Sequence, residues 1–317
     1  MDPEAVRARS GEILDQIAGA VVTERSTLET ILVGILSDGH VLLEDVPGTG
    51  KTLTARSFAD ALGVSFSRVQ FTPDLLPSDV IGSNVFDEST RTFEFQPGPV
   101  FANVMLADEI NRAPPKTQSA LLEAMEEGQV TVDGESHPLP DPFVVIATQN
   151  PVEMDGTFEL PVAQRDRFMI RTSLGYPDRS GELELIDRRA SRRSASPSVE
   201  RVCDPETLDG LREAPESVRV EEAVREYLVD VARATREDER VRTGVSPRGV
   251  QKFFEAVRAH AVLRGRGYAT PDDVKATAPA VLSHRIVLTP DARVDGVGPE
   301  AVVAEVLEEV PVPQLNA

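Results

Sequence analysis

The segment that most restricts the fold is residues 40–62, HVLLEDVPGTGKTLTARSFADAL. An apolar run leads into a loop with two glycines, then a lysine and a threonine, and then a helical pattern that Gly63 ends. A strand, a glycine loop and a helix in direct succession let backbone N–H groups and a helix N-terminus surround a phosphate. The segment therefore predicts a nucleotide-binding α/β fold.

The loop departs from the usual pattern G-x-x-x-x-G-K-[ST] at its first position, where Asp45 replaces glycine. Asp tolerates turn conformations, so we expect a working site in which the Asp45 carboxylate points away from the phosphates and bonds to backbone or solvent. Lys51 would supply charge to the β- and γ-phosphates of ATP, and Thr52 a hydroxyl to Mg²⁺. The predicted nucleotide contacts are Pro47, Gly48, Thr49, Gly50, Lys51, Thr52 and Leu53.

Two further apolar runs end in residues suited to phosphate chemistry. VMLADE (104–109) ends in Asp108 and Glu109, and FVVIATQN (143–150) ends in Asn150. In open parallel sheets, ligands bind beyond the carboxyl ends of the strands. We expect Asp108 to hold Mg²⁺ with Thr52, Glu109 to polarise the attacking water, and Asn150 to contact the γ-phosphate and that water.

Arginines in QRDRF (164–168) and SPRG (246–249) could neutralise charge in the transition state. Taken with the acids, the asparagine and the loop, they indicate ATP hydrolysis shared between subunits.

The remaining pattern predicts an α/β core, with a parallel sheet between helices, over residues 1–177. Hairpins are expected near 78–100 and 129–140, the second from its Asp-Gly turn. We interpret 178–204 as a linker, 205–290 as a smaller all-α lid domain and 291–317 as a weakly patterned tail. The cluster Phe86, Phe93 and Phe95 is interpreted as a packed hairpin face rather than a substrate grip.

The segments LLEDVPGTGKT, QFTPDLLPSDVIG, MLADEINRAPPKTQSALLEAMEEGQVTVDG, VIATQNP, QRDRF and SPRG together resemble the MoxR family of AAA+ ATPases. The resemblance implies that Gly48 to Thr52 form the Walker A loop and that Asp108 and Glu109 form the Walker B pair. It implies Asn150 as sensor 1, Arg167 as the arginine finger offered to a neighbouring subunit, and Arg248 as sensor 2. The residue two before the finger is usually apolar in the family, and here it is Arg165, so either arginine stays open as the finger.

The same resemblance implies a ring, expected to be a hexamer, that acts as a chaperone on a partner complex. Partners of the family often carry a von Willebrand factor A domain, and metal or cofactor insertion is one expected outcome. A DNA-handling ATPase of the helicase or loader type is the alternative. The net charge of −20 argues against a broad nucleic-acid surface.

Composition adds expectations about the setting. One cysteine, Cys203, and no apolar run long enough to span a bilayer fit a cytoplasmic protein with no membrane insertion. Only Lys51, Lys116, Lys252 and Lys275 are lysines among 33 basic residues, which suggests a halophilic host with concentrated salt in its cytoplasm.

Overall fold

The computed structural model describes residues 1–151, 158, 160–191 and 197–314, so part of the predicted linker and the last residues of the tail lie outside the described residues. The strands are β1 (Val41–Glu44), β2 (Phe66–Gln70), β3 (Gly82–Asp87), β4 (Thr92–Pro97), β5 (Val104–Asp108), β6 (Gln129–Val132), β7 (Glu135–Pro138), β8 (Val144–Gln149), β9 (Ile170–Thr172), β10 (Val241–Thr243) and β11 (Val287–Leu288).

The helices follow the same chain order. They are α1 (Pro3–Ala20), α2 (Arg25–Leu36), α3 (Lys51–Leu62), α4 (Pro77–Ile81), α5 (Pro115–Glu127), α6 (Val162–Arg165), α7 (Arg179–Ser191), α8 (Pro205–Glu213), α9 (Glu222–Glu237), α10 (Pro247–Leu263), α11 (Pro271–Leu282), α12 (Pro290–Val294) and α13 (Pro299–Glu309).

The core is a parallel sheet in the order β2-β5-β8-β1-β9. Its central strands β1, β5 and β8 are the apolar runs noted above, and they are buried on both faces as expected for a parallel sheet between helices. Successive side chains along a strand enter opposite cores. Leu43 joins a core with α1, α2, α3 and the lid helices, whereas Leu42 joins a core with α5. The predicted α/β class is therefore confirmed.

Two antiparallel hairpins interrupt the core, where the sequence predicts them. In the first, formed by β3 and β4, Phe86 lies opposite Phe93. The second is formed by β6 and β7. The hairpins contact each other, because Phe95 stacks on His137 with ring centroids 3.8 Å apart and the Asn84 amide donates to Asp133 (2.9 Å).

The prediction of a packed hairpin face holds for Phe95 and is wrong for the other two phenylalanines. Phe95 also packs edge-to-face on Phe101, near the base of the hairpin. Phe86 and Phe93 lie nearer its tip, beyond the cover of the second hairpin, and are 50% and 72% exposed. They make an edge-to-face pair, with centroids 5.3 Å apart.

The helical domain is built mainly from α8 to α11. The Ser246 hydroxyl caps α10 by accepting from Gly249 N–H (3.0 Å), and a Thr270–Asp273 capping box begins α11. A short antiparallel pair, β10 and β11, had no clear sequence signal. Within the stretch interpreted as a tail, α13 is a helix that packs on α9 and α11.

Much of the predicted linker is the exposed helix α7. Among the described residues, no helix has the length and apolar character needed to cross a membrane.

Candidate functional site

The glycine loop between β1 and α3 is shaped to receive an anion. Gly48 and Gly50 have φ values of +87° and +93°, which side-chain-bearing residues rarely adopt. A Cβ built at either glycine would meet nothing within 4 Å, so the loop faces open space. Lys51 begins α3 and donates from Nζ to the carbonyls of Asp45 and Val46, both at 2.8 Å. The ammonium thus lies over the loop on backbone acceptors that a phosphate could replace.

The Asp45 carboxylate forms its hydrogen bonds with the segment after β9 rather than with the glycine loop. It is buried and accepts bonds from Ser173 Oγ (2.7 Å), Leu174 N–H (2.7 Å) and Gly175 N–H (3.0 Å). The prediction that this acid bonds to backbone at the strand's end is confirmed. Asp45 therefore anchors the chain that follows β9.

Asp108, the last residue of β5, and Glu109, which follows it, are joined by a threonine of the neighbouring strand β8. Thr148 Oγ1 donates to Asp108 Oδ1 (2.7 Å) and accepts from the Glu109 backbone N–H (2.9 Å). Glu109 has a positive φ of 55°, unusual for a side-chain-bearing residue. Strain of this kind clusters at functional sites and persists where the surroundings hold the backbone.

Both carboxylates already have basic or amide partners. Arg68, on β2, donates to Asp108 Oδ2 through Nη2 (2.7 Å) and Nε (3.2 Å). Glu109 Oε2 accepts from Gln70 Nε2 (2.7 Å) and Arg112 Nη1 (2.8 Å). These contacts hold the acids in defined positions, and a metal or water approaching the same oxygens would compete with them.

The predicted residues of one subunit's phosphate site meet at one edge of the sheet. Burial is the largest influence on the pKa of Lys51 and lowers it. The nearby carboxylates of Asp45, Asp108 and Glu109 oppose that shift. Asn150 is buried directly after β8. Thr52 and Leu53 line a cavity of about 1030 Å³ that runs on to the end of α1 and to α7.

The predicted arginines lie at the opposite edge of the sheet. Arg167 precedes β9, and Met169 N–H nearby donates to the carbonyl of His40 (2.8 Å), the residue before β1. The glycine loop follows the other end of β1, and a four-residue strand spans about 13 Å. Arg167 is therefore separated from its own subunit's loop by the full length of the strand.

A single carboxylate, that of Glu126 near the end of α5, holds both arginines. Its Oε2 lies 3.0 Å from Arg167 Nε, and its Oε1 accepts from Arg248 Nη1 (2.9 Å). The structure thus brings the two arginines together, at the end of the sheet away from the glycine loop.

A buried network positions the backbone of this arginine segment. Lys252 Nζ donates to the Arg167 carbonyl (2.7 Å), and Arg285 pairs with Asp166 (2.7 Å). Burial, reinforced by Arg285 and Arg248, lowers the pKa of Lys252 to about 7.

Sequence reasoning missed the residues that hold the predicted ones: Arg68, Gln70, Arg112, Glu126, Thr148 and Lys252. For Thr148 the sequence holds a usable signal. It stands two positions before Asn150, and side chains two positions apart in extended chain lie on the same face. Arg68 and Gln70 had none, because nothing in the sequence says that β2 neighbours β5.

The set can bind a nucleoside triphosphate with its metal. The open glycines, the Lys51 ammonium on replaceable acceptors, and the oxygen donors Thr52 and Asp108 suit phosphate and Mg²⁺. Glu109 adds a carboxylate at the same edge that could take a proton from water.

Comparisons with known proteins agree with this geometry. The family model described as "ATPase family associated with various cellular activities (AAA)" matches residues 40–170, and an AAA lid domain model matches residues 233–306. The chain is 44% identical to chaperone MoxR1 of Mycobacterium tuberculosis, over 95% of this chain and 82% of that protein. It is 46% identical to the uncharacterized protein YeaC of Bacillus subtilis, over 96% of this chain and 94% of that protein.

A solved structure is similar over the whole fold. The crystal structure of a candidate ATPase from Cytophaga hutchinsonii superposes with a TM-score of 0.90 at 37% identity, covering 98% of this chain and 97% of that one.

Proposed function

Because the chain belongs to the MoxR family of AAA+ ATPases, we propose that it hydrolyses ATP to ADP and phosphate and uses the reaction to remodel or mature a partner protein complex. The observation that carries the proposal is the meeting of an open glycine loop, Lys51 and the pair Asp108–Glu109 at one edge of the sheet.

The residues of this edge have separate tasks. Lys51 exchanges its two backbone acceptors for oxygens of the β- and γ-phosphates, and loop N–H groups bind the same anion. Thr52 and Asp108 would hold Mg²⁺, which supplies positive charge against the phosphates when bound. Glu109 orients water and accepts its proton, and Asn150 orients the same water.

The contacts on the acids require a change before turnover. Arg68 must leave Asp108 for that carboxylate to serve a metal, and Gln70 and Arg112 must loosen from Glu109 for it to act as a base. Binding of ATP would provide the competing charge. This would keep the site inactive until the nucleotide is in place.

Arg167 and Arg248 complete the site of a neighbouring subunit. Their place at the far edge of the sheet excludes Arg167 from its own loop, and the shared partner Glu126 ties Arg248 to the same surface. A closed ring of six copies would present each pair to the next subunit's γ-phosphate. On this reading Arg248 acts in trans with Arg167.

The exposed aromatic pair on the first hairpin is our candidate for partner contact. Phe86 and Phe93 are 50% and 72% exposed and form an edge-to-face pair, and aromatic residues are enriched at protein interfaces. The name of MoxR1 as a chaperone supports a protein client. By family resemblance, we infer that the partner carries a von Willebrand factor A domain and that the outcome includes metal or cofactor insertion.

Hydrolysis is tested with Glu109→Gln. We expect ATP to bind normally while phosphate release falls by roughly a hundred- to ten-thousandfold, since the amide cannot take the proton. Glu123→Gln, an exposed acid of α5, is the matched control and should hydrolyse like wild type. Full turnover by the Glu109 variant would refute the assignment of the base.

The same assay separates the alternative function. Adding single-stranded DNA should leave the rate unchanged for a protein remodeller, whereas salt-dependent stimulation would favour the DNA-handling alternative.

Partner contact is tested with the double change Phe86→Ser and Phe93→Ser. We expect basal ATP hydrolysis to stay within about twofold, because both rings lie on the surface, while co-purification of a von Willebrand-type partner is lost. The control changes the exposed Leu76→Ser outside the hairpin. Unchanged partner recovery would remove the hairpin from the interface.

A further inference from the structure

A second cavity lies beside α6, and neither Glu126 nor its two arginines are among the described residues that line it. It has a volume of about 420 Å³ and is bounded by α6 on the core side and by β11 and α12 on the lid side. Its apolar wall includes Leu160, Ile286 and Leu288. Three arginines also line it: Arg165, Arg242 and Arg293. We call this cavity the arginine pocket.

The charge of the arginine pocket is opposite to that of the protein. The chain has a net charge of −20, yet the described residues that line the pocket include no aspartate or glutamate. Two acids next to lining residues are engaged elsewhere: Asp166 pairs with Arg285, and Glu300 pairs with Arg171. The three arginines therefore face the cavity without a compensating carboxylate from the described part of the chain.

Within the described part of the chain, Arg165 has a buried donor without an acceptor. Its Nε is buried and has no hydrogen-bond partner among the described residues, which is rare for a buried guanidinium donor. Its charge adds to the burial that lowers the pKa of Arg171 and of His284, so its surroundings are already positive. Among the described residues, Arg293 has one acceptor, the Leu288 carbonyl (3.2 Å), and its other N–H groups stay available there.

These observations favour an anion with an organic body. A guanidinium matches the oxygens of a phosphate in geometry and charge, and three of them favour a multiply charged group. The apolar wall would cover the rest of the ligand, and 420 Å³ falls within the usual range of small-molecule sites. We propose that the arginine pocket binds a small organic phosphate at a site separate from the nucleotide loop.

The proposal does not depend on ATP hydrolysis, and its test avoids the nucleotide loop. All measurements use full-length chains that carry Lys51→Ala, which weakens phosphate binding at the loop. Phenyl phosphate is titrated by calorimetry, with inorganic phosphate and phenol as comparisons. We expect phenyl phosphate to bind more tightly than inorganic phosphate, and phenol not to bind.

Arginine variants then locate the binding. Arg165→Gln should weaken phenyl phosphate by roughly ten- to a hundredfold through loss of a charge-assisted bond, and Arg165→Gln with Arg293→Gln should abolish it. Arg225→Gln, an exposed arginine of α9, is the control and should bind as before. Thermal melting should match across the set, because Arg165 and Arg293 have no acidic partner among the described residues.

Three outcomes would overturn the proposal. The first is equal binding of phenyl phosphate by the double variant and its parent, and the second is no binding of phenyl phosphate to either. The third is a change of oligomer size in the double variant without any binding of phenyl phosphate, which would assign the pocket to an acidic side chain of a second copy.

Discussion

Two lysines at opposite edges of the sheet perform the same local task in opposite surroundings. Lys51 donates to the carbonyls of Asp45 and Val46, and Lys252 donates to the carbonyl of Arg167. Burial lowers the pKa of both amines. At the first edge nearby carboxylates oppose that shift, whereas at the second Arg285 and Arg248 reinforce it and the pKa falls to about 7.

This difference in surroundings suits Lys51 to binding a ligand and Lys252 to positioning the backbone. Lys51 is partly exposed and lies among three carboxylates that oppose the fall of its pKa, and a phosphate could replace its backbone acceptors. Lys252 is largely buried among arginines, and its value lies in holding the backbone of the segment that carries Arg167. One edge of the sheet thus carries the acids and the loop, and the other carries the arginines that we propose reach a neighbouring subunit.

The largest expected effect comes from removing an arginine of the second edge. Arg167→Ala should lower ATP hydrolysis by roughly 10³- to 10⁵-fold, as loss of an arginine finger does, without weakening ATP binding to the same subunit. Mixing this variant with Lys51→Ala subunits should restore part of the activity, because some interfaces then pair an intact loop with an intact arginine. The rate of phosphate release, followed over a series of mixing ratios, measures the restored activity.

Controls for this experiment address the choice of arginine. Arg165→Ala should leave hydrolysis near wild type, since Arg165 lines the arginine pocket rather than the Glu126 pair. Absence of recovery at every mixing ratio would contradict action between subunits, and a larger loss from Arg165→Ala would transfer the role of finger to that residue.

The second-largest expected effect is a loss of stability, and it tests whether Asp45, like the other acids near the glycine loop, contacts the nucleotide. Asp45→Ala should lower the free energy of unfolding by about 3 kcal/mol, because Leu174 and Gly175 N–H groups lose a buried charged acceptor. Urea titration measures it, with the exposed Asp230→Ala as the control. Equal stability of the two variants, with altered ATP affinity in the first, would mean that Asp45 faces the phosphates.

The edge of the sheet that carries the glycine loop could be predicted from sequence, because the sequence signals for it are local. The loop and α3 follow one another in the chain. Asp108 ends the apolar strand β5, Glu109 follows it directly, and Asn150 directly follows the apolar strand β8. Their meeting follows from the general rule that parallel strands place their carboxyl ends together. For Asp45, the sequence predicted that the carboxylate points away from the phosphates but not which residues it binds. Its partners, Ser173 to Gly175, lie far along the chain.

The arginine edge could not be predicted in the same way. Glu126, Arg167 and Arg248 come from three distant segments, and no periodicity encodes their packing. The same limit explains Phe86 and Phe93: alternation identified the hairpin, but whether a face is covered depends on where the second hairpin lies. Long-range placement, rather than local propensity, accounts for what the sequence left open.

The smallest effect concerns Lys252 and depends on pH. Its pKa is about 7 in the folded chain and near the ordinary 10.5 in the unfolded chain, so between these values the unfolded chain binds the extra proton. Stability from this residue is therefore present in full above pH 10.5, is lost as pH falls towards 7, and changes little below that.

Lys252→Met removes this dependence. Between pH 7.5 and 9.5, the free energy of unfolding should rise with pH more steeply in wild type than in the variant, by up to about 1.4 kcal/mol per pH unit. Urea titration at several pH values measures the two slopes, and the exposed Lys116→Met on α5 should keep the wild-type slope. Parallel slopes for Lys252→Met and wild type would show that Lys252 stays charged when folded. The contrast between a binding lysine and a positioning lysine would then rest on their contacts alone.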